Sequence, residues 1–112
     1  MEVHDATAFG ELIQTENLGF CPRGPGGPYA ASGASAIGGK RPVNTSGGLL
    51  SRGHPIGASG LAMVAECVYQ LRGQAGKRQV EGARIAMIEN GGGFIATGEA
   101  AIGMTILEGP PK

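Results

Sequence analysis

The segment between Gly53 and Gly73 constrains the fold more than any other part of this chain. Its apolar residues recur at three- and four-residue spacing, at positions 56, 63, 64, 67, 68 and 71, which is typical of an α-helix. Pro55 suits the first helical turn, because its missing N–H would have no helical partner there. The opposite face is mostly Ala, Gly and Ser. We therefore expect a helix over 56–72 that is buried on more than one side.

The segments around this helix predict a small sheet. Residues 84–88 read as a strand, residues 91–93 as a turn and residues 101–107 as a second, antiparallel strand. A further short strand is expected at 41–44, followed by a turn at 45–48. The chain has 22 glycines, no Trp and only 4% aromatic residues, so aliphatic side chains must pack around glycines in its interior. This favours an α/β layer fold with a mixed sheet.

The N-terminal part predicts a strand end, one helix and one long loop. Residues 1–5 read as the end of a strand that enters a helix, which Asp5 or Thr7 can cap and which Gly19 ends. Residues 22–40 are dominated by Gly, Pro, Ala and Ser, so we expect a loop across the surface. We expect one domain over 1–108 and a tail over 109–112.

Charge and cysteine usage exclude several classes of function. Nine basic and nine acidic residues cancel, and no Lys or Arg stripe is present, so we expect no nucleic-acid partner. Cys21 and Cys67 stand far apart and outside any CxxC motif, so no disulfide framework or metal site is expected, and a cytoplasmic location is favoured. No leader-like segment and no stretch of about 18 apolar residues occurs, so we expect no membrane anchor.

His54, at the start of the apolar helix, is the strongest candidate for chemistry. A helix N-terminus presents free main-chain N–H groups and partial positive charge, which stabilise a nearby anion. An imidazole there can act as a general base or donate a hydrogen bond to a carbonyl oxygen. The alternative is a structural histidine that caps a buried helix, and the residue pattern alone leaves both open.

Three further segments are weaker candidates. The glycines at 91–93 could bring main-chain amides to an oxyanion, or simply form a tight hairpin. His4 and Asp5 could orient a water or a substrate carbonyl, although an Asp cap beside an incidental His explains them equally simply. Cys21 has Arg23 nearby, as reactive cysteines often do, but a structural position is the simpler interpretation.

Residues 44–60 carry a specific family resemblance. They read NTSGGLLSRGHPIGASG and closely resemble the Asn-Pro-Ser-Gly-Gly, Gly-His-Pro and Gly-Ala-Thr-Gly block of the thiolase superfamily, especially its sterol-carrier-protein-x branch. Residues 3–5, 18–22 and 70–80 resemble further segments of that branch. The resemblance implies the C-terminal half of the thiolase fold, with a mixed sheet and a buried helix, but without the first strand and helix of that half.

The same resemblance implies four catalytic residues. His54 would activate the nucleophilic cysteine of the family and help to hold the thioester oxygen. Asn90 would belong to the Asn-x-Gly form of the late loop, with Gly92 providing an oxyanion donor through its amide. A shift of the alignment by one residue would instead place Glu89 at the position of the late cysteine. His4 would match the histidine of the His-Asp-Cys-Phe segment.

Two departures from the family pattern limit this implied activity. Ala6 and Thr7 replace the Cys-Phe of the His-Asp-Cys-Phe segment, so the acid/base cysteine is absent. The nucleophilic cysteine and most CoA contacts belong to the family's N-terminal half. We therefore expect part of an acyl-CoA acyltransferase that is inactive alone and needs that half on another chain. We expect it to form a homo- or hetero-oligomer. Its substrate would be an acyl-CoA, and no cofactor or metal is expected. A non-catalytic thiolase-like fragment and a thiolase-like aldolase are the alternatives.

Overall fold

In the computed structural model, which describes residues 1–96 and 98–111, helices precede and flank an antiparallel strand pair. The elements in chain order are α1 (Ala8–Asn17), α2 (Gly26–Ala31), α3 (Gly48–Arg52), α4 (Ser59–Leu71), a 3₁₀ turn (Gly76–Arg78), β1 (Ile85–Gly92) and β2 (Ala101–Glu108). The fold is therefore α/β, as predicted. Of the predicted tail, Lys112 lies outside the described residues.

Helix α1 confirms the predicted N-terminal helix and identifies its cap. The Thr7 side chain accepts a hydrogen bond from the Gly10 N–H at 3.0 Å, as an N-cap residue does. Gly19 follows the helix with φ of 71°, a left-handed conformation that glycine adopts readily at a helix C-terminus. Asp5 does not cap α1, because its carboxylate accepts a hydrogen bond from α3 instead.

The prediction of an uninterrupted loop over 22–40 is wrong in its middle, where α2 forms. The Glu16 carboxylate on α1 accepts a hydrogen bond from the Gly26 N–H at 2.7 Å. A Cβ at Gly26 would lie 2.9 Å from the Leu12 carbonyl oxygen, so only glycine permits this approach. The contact with α1 stabilises a helix that its Gly and Pro content does not favour.

The apolar helix is present, but it begins later than predicted. Helix α4 starts at Ser59, and the N–H groups of Ala58 and Ser59 both donate to the Pro55 carbonyl oxygen, at 2.8 and 2.9 Å. Residues 55–58 thus form a turn. Ile56, assigned to the apolar face from the sequence, is 86% exposed. Its side chain is therefore not packed against the described part of the chain, and burial does not stabilise a further helical turn there.

The two C-terminal strands confirm the predicted antiparallel pair. Strands β1 and β2 pair from Ile85↔Glu108 to Gly92↔Ala101. Strand β1 continues through two of the three glycines at 91–93, so only Gly93 lies in the turn predicted there. The predicted turn at 45–48 likewise ends early, because α3 begins at Gly48.

The strand predicted near Val43 does not form in the part of the chain that the structure describes. Asn44 has φ of 52°, which interrupts an extended backbone. The N-terminal segment lies beside β1 instead, because the Glu2 N–H donates to the Met87 carbonyl and the Glu2 carbonyl accepts from the Glu89 N–H, both at 2.9 Å in a parallel bridge. Of the predicted mixed sheet, the described residues thus form two antiparallel strands, β1 and β2, to which the start of the chain adds a single parallel bridge rather than a third strand.

The apolar core lies between α4 and β1. Its buried members are Leu49, Met63, Cys67, Ala86 and Ile88. On the opposite face of α4, Leu61 is 75% exposed, so within this chain the helix is buried along one face rather than on several. Strand β2 also leaves apolar side chains exposed, namely Ile102, Met104 and Ile106.

A polar network joins α4 to the loop that follows it. The buried Glu66 carboxylate accepts a hydrogen bond from Arg78 Nη2 at 2.8 Å, and further bonds from Thr45 and Gln70 at 3.0 Å each. Burial acts to raise the pKa of Glu66, but the hydrogen bonds from Arg78, Gln70 and Thr45 outweigh it and lower that pKa below its usual value. The carboxylate is therefore ionised inside the fold.

Candidate active site

His54 lies in the turn before α4, with its imidazole exposed. Its Nδ1 is 2.8 Å from the Ser59 hydroxyl, and that hydroxyl donates to the Pro55 carbonyl oxygen at 3.1 Å. Because the hydroxyl proton is used on the carbonyl, the hydroxyl oxygen accepts from a protonated Nδ1. In the neutral imidazole, Nε2 is then unprotonated, as a general base requires.

His4 stands against His54 and extends the site to β1. The ring centroids of the two histidines are 5.0 Å apart with the planes at 90°. His4 Nδ1 lies 3.2 Å from Asn90 Oδ1, and because an amide oxygen only accepts, Nδ1 is the protonated nitrogen here too. The structure thus brings together three of the four residues that the resemblance implied.

Gly60 on α4 allows Asn90 to reach this position. A Cβ at Gly60 would lie 2.8 Å from Asn90 Nδ2, closer than carbon and nitrogen atoms normally approach without bonding. At Gly60 the group that approaches is the side chain of this chain's own Asn90.

Gly92, the fourth implied residue, is the last residue of β1. Asn90 and Gly92 share a face of the strand, because side chains alternate along it. Within the described residues Gly92 forms no hydrogen bond with His4 or His54. Its assignment as an oxyanion donor remains a prediction.

Asp5 anchors the histidine segment to α3, which the sequence did not reveal. Its buried Oδ1 accepts the Leu49 N–H at 2.7 Å. A Cβ at Gly48, where φ is 63°, would lie 2.2 Å from Asp5 Oδ2, so glycine is required there. The only signal in the sequence was the Gly-Gly pair ahead of His54, which permits a carboxylate to approach the backbone.

Glu89 is a second buried carboxylate behind the site. It is 2% exposed, and its Oε2 accepts the main-chain N–H of His4 at 3.0 Å. Burial is the main cause that raises its pKa above the usual value. Glu89 entered the sequence analysis only through a one-residue shift of the family alignment, because a hydrophobic pattern predicts few buried charges.

The two cysteines do not replace the missing family cysteine at this site. Cys67 belongs to the core, where burial raises the pKa of its thiol to about 11. Cys21 is half-buried in the turn after α1, and neither thiol is hydrogen-bonded to a histidine. Ala6 is exposed beside Asp5.

The site is open on this chain. A concavity of about 610 Å³ lies at the other end of α4 and is lined by residues 70–74, 79–84 and 109–111. Within residues 1–96 and 98–111, no group of three or more His, Cys, Asp and Glu is arranged to hold a metal ion. In the same residues, no helix is long and apolar enough to cross a membrane.

Comparison with known proteins gives consistent matches. A family model described as "Thiolase C-terminal domain-like" matches residues 1–105. An acetyl-CoA acetyltransferase from Methanothermobacter thermautotrophicus is 54% identical over 93 residues, 83% of this chain and 24% of the relative. Sterol carrier protein 2 from Oryctolagus cuniculus is 50% identical over 100 residues, 87% of this chain and 18% of the relative. Benzoylsuccinyl-CoA thiolase subunit BbsB from Thauera aromatica is 47% identical over 94 residues, 83% of this chain and 24% of the relative.

Proposed function

Because this chain belongs to the thiolase family and corresponds to its C-terminal domain, we propose that it forms the C-terminal portion of a thiolase-type acyl-CoA acyltransferase. The chain spans 24% or less of the relatives compared above, so the remainder of the enzyme comes from another segment. The observation that supports the proposal best is the arrangement of His54, whose Nε2 is free beside His4 and Asn90.

His54 is the proposed base of this reaction. Its Nε2 takes the proton of a cysteine thiol on the N-terminal half, and the thiolate attacks the thioester carbonyl of an acyl-CoA. The acyl group then resides on that cysteine while CoA leaves as its thiol. Asn90 and the Gly92 amide are the proposed donors to the oxygen that becomes negative during attack.

His4 is the proposed second titratable group at the site. Its Nδ1 is held by Asn90, so its Nε2 is free to exchange a proton with a substrate. Ala6 stands where the family has a cysteine acid/base, and this substitution is the specific observation that favours a second candidate, a thiolase-like aldolase. Carbon–carbon cleavage by an aldolase requires a base but no acyl-cysteine.

The exposed side chains around His54, on β2 and on α4 support a second polypeptide as the partner of this chain. His54 is exposed, and so are the apolar side chains of β2 and the outer face of α4. A thiolase N-terminal half that covers these surfaces would complete the site and bury them, in a homo- or hetero-oligomer. Both cysteines are unpaired, which supports a reducing compartment such as the cytoplasm.

Thiolysis of a 3-ketoacyl-CoA tests the proposal. The chain is assayed alone and mixed with a candidate N-terminal half that contains the nucleophilic cysteine. We expect activity only in the mixture, and a loss of at least about 100-fold for His54→Ala, as for removal of a general base. Gln74→Ala, an exposed position beyond the far end of α4, is the matched control and should leave the rate unchanged.

Two outcomes of this assay would contradict the proposal that the chain is part of an acyltransferase. Full activity of the His54→Ala mixture would exclude His54 as the base. A folded complex without thiolysis would favour the non-catalytic fragment, or the aldolase if the same complex cleaves a 3-hydroxyacyl-CoA.

A further inference from the structure

Two glutamates lie directly behind the histidine site and have no role in the proposed reaction. Glu89, on β1, is 2% exposed and accepts the His4 N–H through Oε2. Its other oxygen, Oε1, is buried and has no hydrogen-bond partner among residues 1–96 and 98–111. A buried carboxylate oxygen without a hydrogen-bond partner is unfavourable because its lost hydration is not replaced, so its surroundings require an explanation.

Glu99 reaches back from the hairpin between β1 and β2 to the same place. A Cβ at Gly91 would lie 1.9 Å from the Glu99 carboxyl carbon, so this carboxyl lies directly on the Gly91 backbone. Gly91 and Glu89 share a face of β1, which sets the two carboxyls side by side. Glu99 Oε2 accepts a hydrogen bond from Gln14 Nε2 on α1 at 3.1 Å.

Two ionised carboxylates in this position would both be acceptors and would repel each other. One proton between them removes the repulsion and gives Glu89 Oε1 a partner. The direction of the Glu89 pKa agrees: burial raises it most, and the charge of Glu99 raises it further. The His4 N–H and the His4 charge act in the opposite direction.

We propose that Glu89 and Glu99 share one proton and act as a positioning pair that holds His4 against His54 and Asn90. The pair joins three elements through its outer oxygens, namely the N-terminal segment, α1 and the hairpin. Among the described residues, the titratable groups whose charges act on Glu89 are Glu99 and His4, and α1 contributes the neutral amide of Gln14 to Glu99. The value of this positioning for catalysis rests on the proposed function, but the shared proton does not.

Carboxyl titration by NMR tests the pair without any catalytic assay. The full chain is labelled with ¹³C at the glutamate carboxyl carbon, and the Glu89 and Glu99 signals are followed with pH together with the His4 amide proton. We expect the Glu89 midpoint to lie above the ordinary glutamate value of about 4.5, and the His4 amide to shift with the same midpoint. Failure of the proposed acyl transfer would leave these results unchanged.

Three variants make the test specific. Glu99→Gln supplies an amide donor to Glu89 Oε1, and Gly91→Ala expels the Glu99 carboxyl with one methyl group. Each should shift the Glu89 midpoint to lower pH. Gly98→Ala is the matched control in the same hairpin, because a Cβ there meets nothing within 4 Å among the described residues, and it should shift nothing.

Glu89→Gln tests the link to His4. It keeps an oxygen that can accept the His4 N–H, so the fold should persist while the pH-dependent shift of the His4 amide is lost. An ordinary Glu89 midpoint in the unmodified chain would overturn the proposal. So would a Glu89 midpoint that neither Glu99→Gln nor Gly91→Ala moves, or a His4 amide that still titrates in Glu89→Gln.

Discussion

Replacement of Gly60 by Ala should separate the stability of the fold from the geometry of the site. Ala is a better helix former than Gly by up to about 1 kcal/mol, and Gly60 is the second residue of α4. The added Cβ would lie 2.8 Å from Asn90 Nδ2, so the Asn90 amide must move away. This movement breaks its hydrogen bond with His4 Nδ1, which costs about 0.5–1.5 kcal/mol.

The two effects nearly cancel in the free energy of unfolding. We expect Gly60→Ala to change it by less than about 1 kcal/mol, which corresponds to a shift in Tm of no more than about 4–8 °C for a chain of this length. The His4 ring should respond much more strongly, because Asn90 no longer selects the Nδ1-protonated form. The ¹⁵N signals of the ring should move towards values averaged between the two neutral tautomers.

Urea denaturation and NMR of the histidine rings measure the two effects on the same sample. Gly57→Ala is the control, because a Cβ there meets nothing within 4 Å in the part of the chain that the structure describes. A loss of more than about 2 kcal/mol in Gly60→Ala would show that the backbone of α4, not the Asn90 side chain, absorbs the clash. Unchanged His4 signals would refute the proposed contact.

Two further predictions concern buried ionisable groups. The pKa of Glu66 is lower in the folded chain than its ordinary value of 4.5, so its contribution to stability is present above about that pH and is lost as pH falls through the lowered pKa. Glu66→Gln should flatten this part of the pH dependence of the unfolding free energy in urea denaturation. An unchanged pH dependence in this variant would contradict the prediction. Cys67 is 3% exposed with a thiol pKa of about 11, so a thiol reagent at neutral pH should modify Cys21 first and Cys67 only after unfolding. Equal rates of modification of the two thiols in the native chain would disprove the placement of Cys67 in the core.

Local signals predicted the helices and strands that local interactions determine. Thr7 and Gly19 bound α1, and Gly73 ends α4 with φ of 69°, because caps and left-handed glycines act within one turn of the chain. Strands β1 and β2 follow from apolar runs separated by glycines. The predicted start of α4 is three residues too early, because Ile56 is exposed in the structure and so no burial stabilises an additional turn.

Long-range contacts explain what the sequence could not predict. A parallel bridge joins Glu2 to Ile88 of β1, whereas the predicted strand at 41–44 does not form among the described residues, and nothing in either segment specifies that outcome. The same holds for Asp5, which was a plausible cap for the helix next to it but binds the Leu49 N–H of α3. Local capping rules describe which groups need partners, not which distant element provides them.

The candidate site was predictable only through the family resemblance. The chemistry of the residues alone does not decide whether His54 is a general base or a structural helix cap. It also gives no reason to place His4 beside Asn90. The contacts that define the site join residues far apart in sequence: His4 and Asn90 are separated by 86 positions, and His4 and Glu89 by 85. Periodicity and turn chemistry contain no information at that range.

The N-terminal segment therefore links the fold to the site. Glu2 provides the parallel bridge to β1, His4 the ring against His54, and Asp5 the acceptor for the Leu49 N–H of α3, all within four consecutive residues. If this segment detaches from β1, the histidine pair, the hydrogen bond to α3 and the Glu89 contact are lost together. A variant that weakens only the bridge would thus resemble a catalytic variant in an activity assay. Measurements on His4 or His54 variants become interpretable once the stability of the same variant is known.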